Sequence, residues 1–159
     1  MITKMPPPLE IPSPFLTYLQ ARLEIVAAYL FGSVAAGKAH KFSDVDVALL
    51  LAEGADSKRA RDIMLEAMDK VEAAFGRRAD VAILNTSPTV FCYLVLRHGQ
   101  LIFNRGTPQR PEFEVRVYAA YFDLKPYLEE YDRALFKRIK ELGLGYGYPK
   151  TSRAPAKVG

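Results

Sequence analysis

Residues 31–50 read FGSVAAGKAHKFSDVDVALL and combine two motifs that suggest different chemistry. The first half, from Gly32 to Lys38, resembles a phosphate-binding P-loop, but Ala39 stands where that motif needs Ser or Thr. A P-loop also needs a helix directly after its lysine, because the helix N-terminus helps to bind the phosphates. Only AHKFS separates Lys38 from the next predicted strand, so the P-loop interpretation is disfavoured.

The second half carries two acidic residues, Asp44 and Asp46, at the start of a predicted strand. Residues two apart on a strand point to the same side, so both carboxylates would project together. A pair of solvated acids at a strand edge is the alternative. Asp46, however, precedes the apolar run VALLL, and an unpaired carboxylate near a buried end is costly. A divalent cation would offset that cost.

A third acid, Asp80, lies in RADVAIL on a separate predicted strand. If the two strands are neighbours, Asp80 can face Asp44 and Asp46, and three such carboxylates would suit Mg²⁺-assisted phosphoryl or nucleotidyl transfer. Gly32 and Ser33 end the first strand and open a turn or a short helix. Their backbone N–H groups and the Ser33 hydroxyl can hold phosphate oxygens.

Hydrophobic periodicity around these motifs predicts a mixed α/β domain, a small mixed sheet flanked by helices. The predicted strands are EIVAAYLFG, SDVDVALLL, RADVAILN and LIFNR. The predicted helices are residues 14–23, residues 57–75, a segment opened by Ser87 and Pro88 and closed by Gly99, and a long C-terminal helix from about Pro111, which Pro126 should kink or split.

Composition is that of a globular protein: half of the 159 residues are apolar and a quarter are charged. No apolar run approaches the roughly 20 residues needed to span a bilayer, and the N-terminus has no apolar signal-peptide core. The single cysteine, Cys92, allows no internal disulfide and lies in VFCYLVL, where a small core residue is expected. These features predict a cytoplasmic protein that does not bind membranes.

Positive charge is concentrated at the C-terminus. Residues 133–159 carry seven Lys or Arg and one Glu, whereas the net charge of the whole chain is only +4. This distribution favours a solvated tail or a local anionic partner, and direct DNA binding by the domain is not expected. The predicted organisation is a flexible Pro-rich arm over residues 1–12, a catalytic domain over residues 13–142 and a flexible basic tail over residues 143–159.

Gly32-Ser33, followed after ten residues by Asp44-Val45-Asp46, resembles the nucleotidyltransferase signature of the DNA polymerase β-like superfamily, with Asp80 at the place of its third acid. The small size, together with RADVAILN, YLVLRHGQLIFNR and FEVRVYAAYFDLKPYLEEY, resembles the minimal nucleotidyltransferases, in particular the MntA-like antitoxins that accompany HEPN-domain RNase toxins. The resemblance covers about residues 25–135.

That resemblance implies a protein adenylyltransferase that uses ATP and Mg²⁺, with two metal ions. It transfers AMP, sometimes several units in succession, to a tyrosine of the cognate HEPN toxin, with which it forms a hetero-oligomer, and so silences the toxin. Carried over, Asp44 and Asp46 would ligate the metal, Asp80 would help to bind it and act as base toward the incoming hydroxyl, and Gly32 and Ser33 would contact the triphosphate.

One position departs from the resemblance, and two other functions stay open. Many relatives carry arginine just before the second glycine of the motif, where this chain has Ala36, so we expect Lys38 or Lys41 to supply the positive charge for nucleotide binding. The alternatives are a small-molecule nucleotidyltransferase of the aminoglycoside type and an antitoxin that acts by binding alone.

Overall fold

The computed structural model describes residues 10–142, apart from the side chains of Ile139 and Leu142. Most of the predicted Pro-rich arm (residues 1–9 of 1–12) and the whole predicted basic tail (residues 143–159) lie outside the described residues. Within the described part, no helix is long and apolar enough to cross a membrane. The described residues divide into two compact units, one that ends at Tyr121 and one that begins at Phe122.

The first unit contains a four-stranded mixed sheet with the strand order β3-β2-β1-β4. The central strand β1 pairs antiparallel with β2 and with β4, while β2 and β3 run parallel. The predicted mixed sheet is therefore confirmed. The strands are β1 (Ile25–Phe31), β2 (Val45–Leu51), β3 (Ala79–Ile83) and β4 (Gln100–Asn104).

Five α-helices and one short 3₁₀ turn (Leu84–Thr86) are present in the described residues, and each predicted helix has a counterpart among them. The turn or short helix expected after the first strand is a four-residue helix. The helices are α1 (Ser13–Ala21), α2 (Gly32–Ala35), α3 (Ser57–Phe75), α4 (Thr89–His98) and α5 (Gln109–Leu142).

Helix α3 shows how local sequence sets these elements. Its N-terminus is capped by Asp56, whose carboxylate accepts a hydrogen bond of 2.7 Å from the Arg59 N–H. It ends at Gly76, which adopts the left-handed conformation (φ 64°) that favours glycine. An apolar stripe of this helix packs against the sheet, with Ile63 and Val71 fully buried.

Two apolar clusters lie on opposite faces of the sheet. Alternate residues of β1 and β2, such as Leu30 and Val47, pack with α1 and α3 on one face. The other face packs with α4 and the first turns of α5, and it includes Cys92, which is 2% exposed and confirms the predicted core position. Asp46 alternates with Val47 along β2 and therefore points to this second face.

The long helix α5 continues through Pro126, so the alternative of two separate helices is wrong. Proline removes one backbone N–H donor and therefore one helical hydrogen bond. The helix continues on both sides of the proline. Residues with high helix propensity follow it in LEEYDRALFKR. The helix thus survives the loss of a single bond.

Candidate active site

The parallel pairing of β2 and β3 brings two acidic residues together. Asp46 and Asp80 are direct partners in the ladder, so their side chains lie side by side on the same face of the sheet. On the other side of β2, Asp46 is paired with Phe31, the last residue of β1. The condition on which the predicted acidic site depended, that the two strands are neighbours, is met.

Asp44 lies just before β2 and belongs to the same electrostatic cluster. Burial raises the pKa of Asp46 above its ordinary value, and the nearby carboxylates of Asp80 and Asp44 raise it further. Asp46 is half-buried, whereas Asp44 and Asp80 are exposed. Three negative charges therefore meet at one edge of the sheet, and a bound cation would relieve their repulsion.

Gly32 lies directly against the Asp46 carboxylate. A Cβ added at Gly32 would stand 2.1 Å from Oδ2 of Asp46, which is far inside van der Waals contact. The residue also has a φ of 72°, in the left-handed region that favours glycine. Both the contact and the backbone conformation therefore require glycine here, and they fix the distance between the turn after β1 and the acidic cluster.

Helix α2 follows at once and carries the second predicted phosphate contact, Ser33. The first N–H groups of any helix have no acceptor within the helix and can bind an anion or water. The C-terminal end of the helix is closed by bonds from the Ala36 N–H to the Gly32 carbonyl (3.1 Å) and from the Lys38 N–H to the Ser33 carbonyl (2.9 Å). Gly32 and Ser33 are thus held in a compact turn beside Asp46.

The two predicted lysines lie on the exposed segment between α2 and β2. The ammonium of Lys41 stands 5.9 Å from the ring centre of Phe42, a residue that is itself 83% exposed. In the stretch from residue 10 to residue 142, neither Lys38 nor Lys41 forms an ion pair with an acidic residue. Their proposed role in nucleotide binding therefore stays a prediction.

A hydrogen-bonded turn that the sequence did not reveal organises this segment. The His40 N–H donates to the buried Ser43 hydroxyl (2.9 Å), and the Phe42 N–H donates to His40 Nδ1 (3.2 Å). Arg77 lies just before β3 and donates from Nη1 to the His40 carbonyl (3.2 Å). The one available signal, an arginine three residues before Asp80, does not by itself indicate a contact with this turn.

The donor chemistry of the cluster fits magnesium, because carboxylate oxygens are the protein ligands that this hard cation prefers. Among residues 10–142, however, no group of three or more His, Cys, Asp or Glu side chains is arranged so that it could hold a metal ion. The three acids interact electrostatically but are not gathered into a finished coordination sphere. Their role as metal ligands remains a prediction.

The polymerase beta nucleotidyltransferase family profile matches residues 16–107, which is more than half of the chain and includes all seven predicted site residues. The protein adenylyltransferase MntA of Shewanella oneidensis is 35% identical over 98 residues. That match covers 61% of this chain and 66% of MntA, slightly less than two thirds of the relative's length.

Solved structures with the same fold include a toxin–antitoxin complex with AMP-PNP, in which the matching chain is 26% identical, with a TM-score of 0.61. The match covers 77% of this chain and 96% of that one. A second is a complex of a tri-AMPylated HEPN toxin with an MNT antitoxin from Shewanella oneidensis. There the identity is 23% and the TM-score 0.55, over 76% of this chain and 92% of that one, a likeness of fold alone.

Proposed function

Since the chain belongs to the polymerase beta nucleotidyltransferase family, we propose that it is an antitoxin that adenylylates a HEPN-domain RNase toxin. The proposed reaction joins a tyrosine oxygen of the toxin to the α-phosphorus of ATP. The bond from that phosphorus to the bridging oxygen breaks, and pyrophosphate leaves. The 35% identity to an adenylyltransferase and the AMP-PNP complex of a structural relative support this choice of reaction.

The observation that carries the proposal is the packing of Gly32 on the carboxylate of Asp46, which is itself aligned with Asp80. The turn at Gly32, whose first backbone N–H groups have no acceptor within the helix, lies next to a cluster of acids. In nucleotidyl transfer the turn would hold the triphosphate, and the acids would lie beside the α-phosphorus. A merely solvated acidic edge has no need of so close a glycine.

The acidic and basic residues of the site divide the remaining proposed tasks. Asp44, Asp46 and Asp80 would hold Mg²⁺, which when bound supplies the positive charge that neutralises the triphosphate. Asp80, the exposed member of the aligned pair, would accept the proton of the attacking tyrosine. Lys38 and Lys41 would add positive charge near the phosphates, because Ala36, just before the second glycine of the motif, supplies none.

The proposal is tested by incubating the full chain with α-labelled ATP, Mg²⁺ and a purified HEPN-domain RNase toxin. We expect label on a toxin tyrosine and loss of the toxin's RNase activity. The double variant Asp44→Asn, Asp46→Asn should transfer no label while keeping its fold. Asp69→Asn is the matched control, because Asp69 is an exposed acid of α3, outside the site.

Two results would contradict the proposal in different ways. Neutralisation of the toxin by the double variant would show that binding alone is sufficient. Labelling of an aminoglycoside instead of the toxin would identify a small-molecule transferase. Because the proposed reaction needs ATP and acts on an RNase, we also propose a cytoplasmic location and a hetero-oligomer with the toxin.

A further inference from the structure

The second half of α5 carries an exposed apolar stripe. Leu124, Leu128, Tyr131 and Leu135, which we call the seam, follow one another at intervals of four, three and four residues. Their exposed fractions range from 36% to 67%. Intervals of three and four residues place side chains along one line of a helix, as in a coiled coil. An exposed line of large apolar side chains indicates a binding surface.

The spacing of the seam is the same in both directions along the chain. When two copies of such a helix run antiparallel, Leu124 of one copy faces Leu135 of the other, and Leu128 then faces Tyr131. The two-fold axis repeats both pairs, so all four seam residues of each helix gain a partner. A self-complementary pattern of this kind is what a symmetric pair requires.

The residues that border the seam agree with the same register. Lys125 of one copy then lies beside Asp132 of the other, and the symmetry makes this pair twice. On the opposite border, the large Tyr127 faces the small Ala134. Lys125 pairs with Glu129 of its own helix at 3.8 Å, but both side chains are exposed, and such a pair is weak enough to exchange.

Charge along the helix selects the antiparallel direction. Residues 123–132 carry four acids and one lysine, a net charge of −3. Residues 133–142 carry four basic residues and one glutamate, a net charge of +3. Antiparallel pairing sets each acidic half against a basic half and opposes the two helix dipoles, whereas parallel pairing sets like charges together.

We propose that two copies of this chain associate through an antiparallel pairing of α5 over residues 124–135. The occupant of the exposed seam is thus a second copy of the same chain. With the flanking aromatic residue Tyr127, the pairing would bury on the order of 1,000 Å² in total, enough for a weak but specific interface. The proposal is independent of the chemistry at the acidic cluster.

The first test is analytical ultracentrifugation of the full chain over about a hundredfold range of concentration. We expect a monomer–dimer equilibrium. Leu128→Glu places a charge in the seam and should weaken dimerisation by about 100-fold or more. Leu65→Glu is the matched control, since Leu65 is 52% exposed on α3, outside the seam, and it should leave the dissociation constant within about twofold.

The second test addresses direction and register while keeping the apolar seam intact. Lys125→Glu and Asp132→Lys each place like charges opposite one another and should weaken the dimer by about tenfold. The double variant exchanges the two charges and should restore the wild-type dissociation constant. Glu130→Lys changes the charge on the outer side of the helix and serves as the control. Far-UV circular dichroism verifies that each variant keeps its helix content.

Three outcomes would overturn the proposal. The wild-type chain could remain monomeric over the whole range, or Leu128→Glu could dimerise as the wild type does. The double charge exchange could also fail to restore a dimer that the single changes weaken. A monomeric wild type whose toxin binding is abolished by Leu128→Glu would assign the seam to the toxin.

Discussion

Among single residues, Asp46 is proposed to bind the metal, and its ionised carboxylate lowers the stability of the folded chain. Its pKa is raised in the folded chain, so the folded state binds the proton of this carboxyl more tightly than the unfolded state does. The ionised carboxylate therefore opposes folding. This destabilisation is absent at a pH below the pKa of Asp46 in the unfolded state. It grows as the pH rises, and it is complete above the higher pKa of Asp46 in the folded state.

Asp46→Asn removes that charge with little change of shape. We expect transfer to fall by about 100-fold or more, because charge stabilisation at the triphosphate is lost. We also expect a higher melting temperature at pH 7, with the difference from the wild type shrinking in acid. Thermal unfolding followed by circular dichroism, at pH 7 and in acid, measures the difference in melting temperature. A lower melting temperature at pH 7 would contradict the assigned cause of the pKa shift.

Gly32 gives a second residue-scale prediction. In Gly32→Ala the new methyl group must push the Asp46 carboxylate aside, so we expect transfer to fall by about 100-fold. Gly54→Ala is a matched control: Gly54 also has a positive φ (94°), but a Cβ there meets nothing within 4 Å. Both variants should lose about 1–2 kcal/mol of stability from backbone strain. Equal activity in the two variants would refute the role of the contact.

At the scale of elements, the cap of α3 supports the sheet face that lies opposite the acidic cluster. Asp56→Ala removes the carboxylate that accepts the Arg59 N–H, and we expect a loss of about 1 kcal/mol. Asp69→Ala, an exposed change within the same helix, should be nearly neutral. Urea unfolding of both variants measures the difference. A cap variant as stable as the wild type would show that the cap contributes nothing.

The sequence predicted the elements better than the contacts between them. Periodicity located the strands and helices, because each of them buries an apolar face. The approach of Gly32 to Asp46 depends on the pairing of β1 with β2, which alternation along one strand does not specify. The hydrogen bond from Arg77 to the His40 carbonyl was missed because it also joins segments that are distant in sequence. The prediction that Pro126 could split α5 gave too much weight to the loss of one hydrogen bond.

In the molecule as a whole, the acidic cluster lies on the small mixed sheet and the seam lies on the second half of α5. The proposed chemistry depends on the edge, and the proposed pairing depends on the helix. Variants of the seam should therefore alter self-association while leaving transfer per folded molecule unchanged. Variants of Asp44 and Asp46 should abolish transfer while leaving self-association unchanged.

The intact mass of a HEPN toxin after reaction with ATP, Mg²⁺ and this chain tests the proposed AMP transfer directly. We expect a mass increase of one or more AMP units, located on a tyrosine by peptide sequencing. We expect no increase with the double variant Asp44→Asn, Asp46→Asn. A toxin that the wild-type chain neutralises at unchanged mass would contradict the proposed transfer.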